Sequence, residues 1–234
     1  MRKSFRECRL AAAGVLMAFT FAAHAAESID TSAANLLAVL RESPGANKQG
    51  EELKPFGKIA FTAADGRETQ FEASWYQYLG DMHLRLVFDG RQQMQSAVPE
   101  DLMRLKLSPD QALALAIGNL RERYGAPVAR PYGGGVMQVQ AADADFASSY
   151  FLDREFWAAQ LREHPQGIVA AVPTRRGLVF APADDAAALT SLRFSATALY
   201  TAQERSRVSS ALYLFKDGHW SVYQAPLAAA SADQ

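Results

Sequence analysis

Ile168-Val169-Ala170-Ala171-Val172-Pro173-Thr174-Arg175-Arg176-Gly177-Leu178-Val179-Phe180-Ala181 is the stretch that decides the fold. Ile168–Val172 is a short, unbroken apolar run and reads as a strand. Pro173 to Gly177 turns it tightly into a second apolar run, Leu178–Ala181. A tight turn can join only antiparallel neighbours, because a parallel partner needs a long crossover. The same pattern recurs near the end, where Ala211–Phe215 and Trp220–Gln224 flank Asp217-Gly218, a favoured hairpin dipeptide. Between the two pairs lies a helical stretch that Asp184 or Asp185 can cap and that runs to about Arg205. Strand pairs alternating with helices predict an α+β fold, a mostly antiparallel sheet with helices packed on one face, rather than a doubly wound sheet.

Working back along the chain, Ser108-Pro109-Asp110 starts a helix: a serine oxygen can cap it, and proline at the first position loses no hydrogen bond. Leu113, Ile117 and Leu120 give that helix an apolar stripe, and Gly125 ends it. Asp153 caps another helix through about His164, with Trp157 and Leu161 one turn apart, stopped by Pro165 and Gly167. Val136–Gln140 and Phe146–Leu152 are expected as a strand pair between them. Earlier strands are Lys58–Ala63 and Thr69–Ser74, joined at Asp65-Gly66, then His83–Asp89 with Leu84, Leu86 and Phe88 on one face and Arg85 and Val87 opposite. Residues 26–54 read as a peripheral segment in which Thr31 or Ser32 caps a short helix carrying Leu36, Leu37 and Leu40. The main domain is then 55–225, and the alanine-rich residues 226–234 form a flexible tail.

The start of the chain has the three parts of a secretory signal peptide. Arg2, Lys3, Arg6 and Arg9 form a basic region, Leu10–Ala23 is uncharged and apolar, and Ala23-His24-Ala25 offers small residues for a cut between Ala25 and Ala26. The apolar run is shorter than the roughly 20 residues of a spanning helix. Cys8 precedes that run with no small-residue motif before it, which argues against a lipid-anchored form. The expected product, residues 26–234, is periplasmic or secreted from a bacterium. Its Lys+Arg count falls from 24 to 20 and its Asp+Glu count from 25 to 24, taking the net charge from −1 to −4. Cys8 is the only cysteine, so this product has no disulfide and rests on its core; a chain of this size buries about 70% of its unfolded surface. Mild acidity without a dense basic block argues against nucleic acid as a partner, and no later stretch is apolar enough for a membrane span.

Three stretches, in order, resemble one known family: Leu107-Ser108-Pro109-Asp110-Gln111-Ala112-Leu113 running on to Asn119-Leu120; Ile168–Pro173 with Leu178-Val179-Phe180; and Leu212–Trp220. With Ser149–Leu152 and Phe156-Trp157 between them, they are similar to the bacterial domain-of-unknown-function family 1444, mainly over residues 100–224. The resemblance implies the fold and transfers no catalytic residue. Where that family tends to carry an acid after the Val-Pro step, this chain has Arg175-Arg176, which removes an acid-dependent role at that turn.

Familiar chemistries find little footing. His83, His164 and His219 lack metal-ligand spacing, and Asp81-x-His83 supplies only two candidate ligands. There is no G-x-S-x-G elbow. Glu51-Glu52, Glu100-Asp101 and Asp184-Asp185 read as solvated loops and caps. Gly133-Gly134-Gly135 precedes a strand rather than the helix a phosphate loop requires. No cofactor is indicated. The candidates for binding are Arg175 and Arg176, whose forked guanidinium groups suit carboxylates and phosphates, and Trp75 and Tyr76 in the run Trp75-Tyr76-Gln77-Tyr78. Adjacent side chains on a strand point to opposite faces, and Trp75 and Tyr78 are expected inside with Tyr76 outside. The expected function is an exported binding or accessory protein for a protein or envelope partner; the alternative is a hydrolase using Asp, Glu or His from separated loops.

Overall fold

A computed structural model describes residues 29–62, 66–90 and 93–227. The leader, its Ala25–Ala26 cut, Asp65 of the first expected turn and residues 228–234 of the tail lie outside them.

The class is α+β, as expected. One sheet holds β1 (Leu36–Glu42), β2 (Lys54–Pro55), β5 (Trp75–Gln77), β6 (Met82–Asp89) and β7 (Met94–Ser96), in the order β1-β6-β5-β2, with β7 also on β6. The hairpin β3 (Lys58–Thr62) and β4 (Glu68–Glu72) pairs only with itself. After α1 (Pro99–Leu105) and α2 (Pro109–Tyr124) come β8 (Val128–Gly133), β9 (Val136–Gln140), a 3-10 helix at Ala144–Leu152 and α3 (Arg154–Glu163). Then follow β10 (Ile168–Thr174), β11 (Gly177–Pro182), α4 (Ala186–Ala202), β12 (Leu212–Lys216) and β13 (His219–Gln224). The second sheet runs β13-β12-β10-β11-β9-β8, every pair antiparallel.

Alternation along β10 builds two cores. Ile168, Ala170 and Val172 face the main one, which fills the space toward the first sheet, and Val169 and Ala171 face a smaller one under α4. The second sheet therefore carries α4 on one face and α3 with the 3-10 helix on the other, where one covered face was expected. Caps are where the sequence puts them. Ser108 Oγ accepts from Gln111 N, Gln111 Oε1 accepts from Ser108 N, and Asp153 and Asp185 cap α3 and α4.

Two expectations are overturned. Leu36, Leu37 and Leu40 lie on a strand, not a helix, and the segment is core rather than periphery. All of Leu36–Leu40 is buried, and β1 pairs with β6 over seven residues, from Leu36↔Phe88 to Glu42↔Met82. A strand covered on both faces has an unbroken apolar run, which periodicity cannot tell from a buried helix. Phe146–Leu152 is likewise not a strand: Asp143 caps it as a 3-10 helix, and every residue from Phe146 to Leu152 is buried. It packs against both β1 and β11, filling the space between the two sheets instead of extending either. The partner of β9 is β8, turned through Gly133-Gly134-Gly135; a Cβ on Gly135 would sit 2.7 Å from Ala188, so glycine lets α4 approach.

Candidate functional site

The registers of β5, β6 and β1 assemble one face of the first sheet. Trp75 lies opposite Arg85, and Arg85 opposite Val39; one row along, Gln77 lies opposite His83 and His83 opposite Arg41. All six side chains point to the same side, because they share strand parity. Tyr76 pairs with Leu84 on the other side and is only 5% exposed, and Tyr78 is buried as well. The expectation is thus inverted at two positions: Tyr76 is core, and half-buried Trp75 meets the surface. The inversion follows from pairing, since whichever residue faces Leu84 must join the core.

On this face the Arg85 guanidinium stacks 3.6 Å from the Trp75 ring centroid. Phe71 meets Trp75 edge-on at 5.6 Å, and Trp75 Nε1 donates to Ser96 Oγ at 3.3 Å. Arg85 Nε donates to His83 Nε2 at 2.8 Å. A guanidinium can only donate, so Nε2 accepts and the proton of His83 sits on Nδ1, which lies 3.1 Å from Ser43 Oγ. Phe56 closes the imidazole edge-on at 5.3 Å. Burial, then the charges of Arg85 and Arg41 against the pull of a Glu42 backbone bond, brings the His83 pKa from 6.5 down to about 4. The fold therefore resists protonating His83. Its contribution to stability is complete above pH 6.5 and drains as pH falls toward 4, by about 2–3 kcal/mol. Urea unfolding of wild type and His83→Gln across that range is expected to show the wild type losing this much more. A constant difference between the two would mean that His83 protonates freely in the fold.

Arg41, one strand over, senses the charge of the β10–β11 turn. Burial and the charges of Arg175 and Arg85 lower the Arg41 pKa to about 10, with Asp145 opposing. Arg41 makes one hydrogen bond, Nη1 to the carbonyl of Leu40 at 2.7 Å. Arg175 and Arg176 part company. Arg176 is exposed and donates from Nε to Asp145 at 2.7 Å. Arg175 is half-buried and near enough to Arg41 to oppose its charge. The turn itself is clamped: Arg175 N donates to Ser206 O, and Arg175 O accepts from Ser148 N. Beside it opens a recess of about 510 Å³ between Arg175, Arg176 and residues 202–206. Among the described residues, none of Arg41, Arg85 and Arg175 has a carboxylate at ion-pair distance.

Of the four residues marked for binding, Trp75 and Tyr76 part to opposite faces of the first sheet, while Arg175 and Arg176 lie on the β10–β11 turn of the second. Arg85 could have been found as the polar residue opposite Leu84 and Leu86; Arg41 was hidden by the helix reading of its strand. Several of the buried or half-buried acids are occupied. Glu51 accepts from Tyr78, Arg154 and the backbone N–H of Trp220, Asp101 from Val98 N, and Asp153 from Arg121. Asp81 turns away from His83 toward Ser209, Ser210 and Tyr213. A separate cleft of about 600 Å³ holds His164, Glu155 and Glu163 over Val128, Met137 and Phe156; its Arg121 is already bound to Asp153 and Glu155. Among the described residues no three His, Cys, Asp or Glu side chains are placed to share a metal ion, and no helix is long and apolar enough to cross a membrane. Compared with known families, characterised proteins and solved structures, the chain matches none.

Proposed function

We propose that this is an exported, non-enzymatic binding protein, a relative of family 1444, that holds a protein or envelope partner through the Trp75–Arg85–Arg41–Arg175 face. The observation that carries this reading is a half-buried tryptophan stacked on Arg85, with none of Arg85, Arg41 and Arg175 in an ion pair among the described residues. Aromatic and arginine side chains dominate the energetics of binding surfaces. The hydrolase alternative needs free, converging acids, whereas Glu51, Asp81, Asp101 and Asp153 are bound within the fold.

The test uses the chain expressed with its own leader in a Gram-negative host. The product is expected in the periplasm with Ala26 at its N-terminus; Met1 recovered from a membrane fraction would overturn export. Immobilised wild type and Trp75→Ala are then compared for what they retain from periplasmic extract. Trp75 is only half-buried, so its loss should cost about 1 kcal/mol of stability and leave the fold intact. At least one species retained by wild type is expected to be lost from Trp75→Ala. Identical retention on both would remove the face from the binding reading.

A further inference from the structure

We propose that the cleft between the β8–β9 turn and α4 is a subsite for a neutral saccharide. The inference goes beyond the Trp75 face and does not depend on it, since the cleft belongs to the second sheet and Trp75 to the first.

Phe194, on the outer side of α4, is 79% exposed, and Tyr132, at the end of β8, is 45% exposed. Neither ring joins either core. Both line one open cleft of about 420 Å³. Gly134 has φ +59°, and a Cβ there would lie 2.7 Å from Ser191 Oγ. Glycine thus lets the turn that carries Tyr132 close against the helix that carries Phe194.

The rest of the lining is hydroxyl-bearing and uncharged. Thr190 Oγ1 donates to Ala186 O at 2.9 Å and Ser191 Oγ to Ala187 O at 3.2 Å, so both oxygens keep lone pairs for an incoming donor. Ser195 Oγ, beside them, is uncommitted among the described residues. Arg193 is the one Lys, Arg, Asp or Glu in α4, and it turns to the other side. Its Nε donates to Gln224 Oε1 at 3.1 Å, and its guanidinium lies 6.0 Å from the Tyr223 ring centroid. Asp185, past the turn, is engaged as the α4 cap.

A charged ligand would find no counter-charge on these walls. An acyl chain or an apolar side chain would cover the rings but strip water from the hydroxyl oxygens without replacing its bonds. A pyranose ring meets both demands. Its C–H face packs on the negative face of an aromatic ring, and its hydroxyls, each donor and acceptor, serve Thr190, Ser191 and Ser195. Because the cleft is open, it suits part of an oligosaccharide rather than an engulfed single sugar.

Saturation-transfer NMR of the mature protein with chitotetraose, cellotetraose and maltotetraose is the test. At least one of the three is expected to bind saturably, at about millimolar affinity, with transfer strongest to its pyranose C–H protons. Phe194→Ala and Tyr132→Ala should each weaken binding roughly five- to tenfold, with stability nearly unchanged because both side chains are exposed. Met103→Ala, another exposed apolar position, on α1, should leave binding as it is, and so should Trp75→Ala. Absence of saturable binding by all three chains, or undiminished binding in Phe194→Ala and Tyr132→Ala, overturns the subsite. So does tetragalacturonate, a charged chain, binding more tightly than every neutral one. Sedimentation at rising protein concentration, without sugar, tests a second copy of the chain as the occupant; a dimer abolished by Phe194→Ala overturns the saccharide. If no sugar binds while Trp75→Ala still loses its partner, the partner face stands alone. If a sugar binds and Trp75→Ala retains everything, the subsite stands and the partner face falls.

Discussion

Replacing Asp81 by alanine is expected to cost about 3–5 kcal/mol of folding stability, the range for stripping one member from a buried charged network. Asp81 is 3% exposed, in the turn between β5 and β6. Its carboxylate accepts from Ser209 Oγ, from Ser210 N at 3.1 Å and Oγ at 3.2 Å, and from the Tyr213 hydroxyl at 3.1 Å. No cation takes part, so neutral donors alone hold the charge. Burial and the Asp81 charge push the Tyr213 pKa well up, which keeps the phenol proton on its oxygen as a donor. Truncation would leave these buried donors facing a void, and each unsatisfied group costs about 1–3 kcal/mol. The network also ties the first sheet to β12 of the second. Packing there is close: a Cβ on Gly80, which has φ +61°, would lie 2.5 Å from the Tyr213 hydroxyl. Asp81→Asn keeps the shape but turns an amide N–H toward other donors, so an intermediate loss is expected. Tyr213→Phe removes one donor and should cost about 1 kcal/mol. Urea unfolding of the three variants measures this order; a loss under about 1 kcal/mol in Asp81→Ala would mean that water takes over the carboxylate's bonds.

Where the chain announces its structure locally, the elements stand where the residues put them. Ser108-Pro109 starts α2, Asp153 starts α3, and Asp217-Gly218 turns β12 into β13, because caps and tight turns are decided by a few adjacent residues. Leu36–Leu40 and Phe146–Leu152 depart from the expected elements for one shared reason: each is buried on every side, so hydrophobicity carries no period. Their conformation is set by what lies beside them, β6 in one case and the gap between two sheets in the other. The site was half legible for the same cause. Trp75, Arg175 and Arg176 could be named as types suited to binding. The stack of Trp75 on Arg85 could not, because it depends on β5 pairing with β6. The Trp75–Tyr76 inversion has the same origin: alternation says that one of the two faces inward, and only the pairing with β6 says which.

Trp157→Ala is expected to be the most damaging single change, at about 4–6 kcal/mol, combining the loss of a buried aromatic with orphaned carbonyl groups. Trp157 is fully buried on α3. It meets Phe156, Trp220 and Phe180 edge-on, at centroid distances of 4.9, 5.0 and 5.4 Å. One side chain thus joins a helix to both β11 and β13. Its Nε1 donates to the carbonyls of Tyr150 and Phe151, each at 3.0 Å, and so also caps the end of the 3-10 helix. Edge-to-face contacts of this kind add about 0.5–1.5 kcal/mol each beyond area burial, and the surrounding rings are too rigid to collapse into the hole. Domains have only about 5–15 kcal/mol in hand, so Trp157→Ala should unfold at markedly lower urea and sit near the limit of folding at ambient temperature. Trp157→Phe separates the two contributions: it restores most of the ring packing but not the N–H donor, and should lose about 1–3 kcal/mol. Equal losses in the two variants would assign the whole effect to the donor. A Trp157→Ala loss below about 1 kcal/mol would mean that the main core does not depend on the ring that joins its elements.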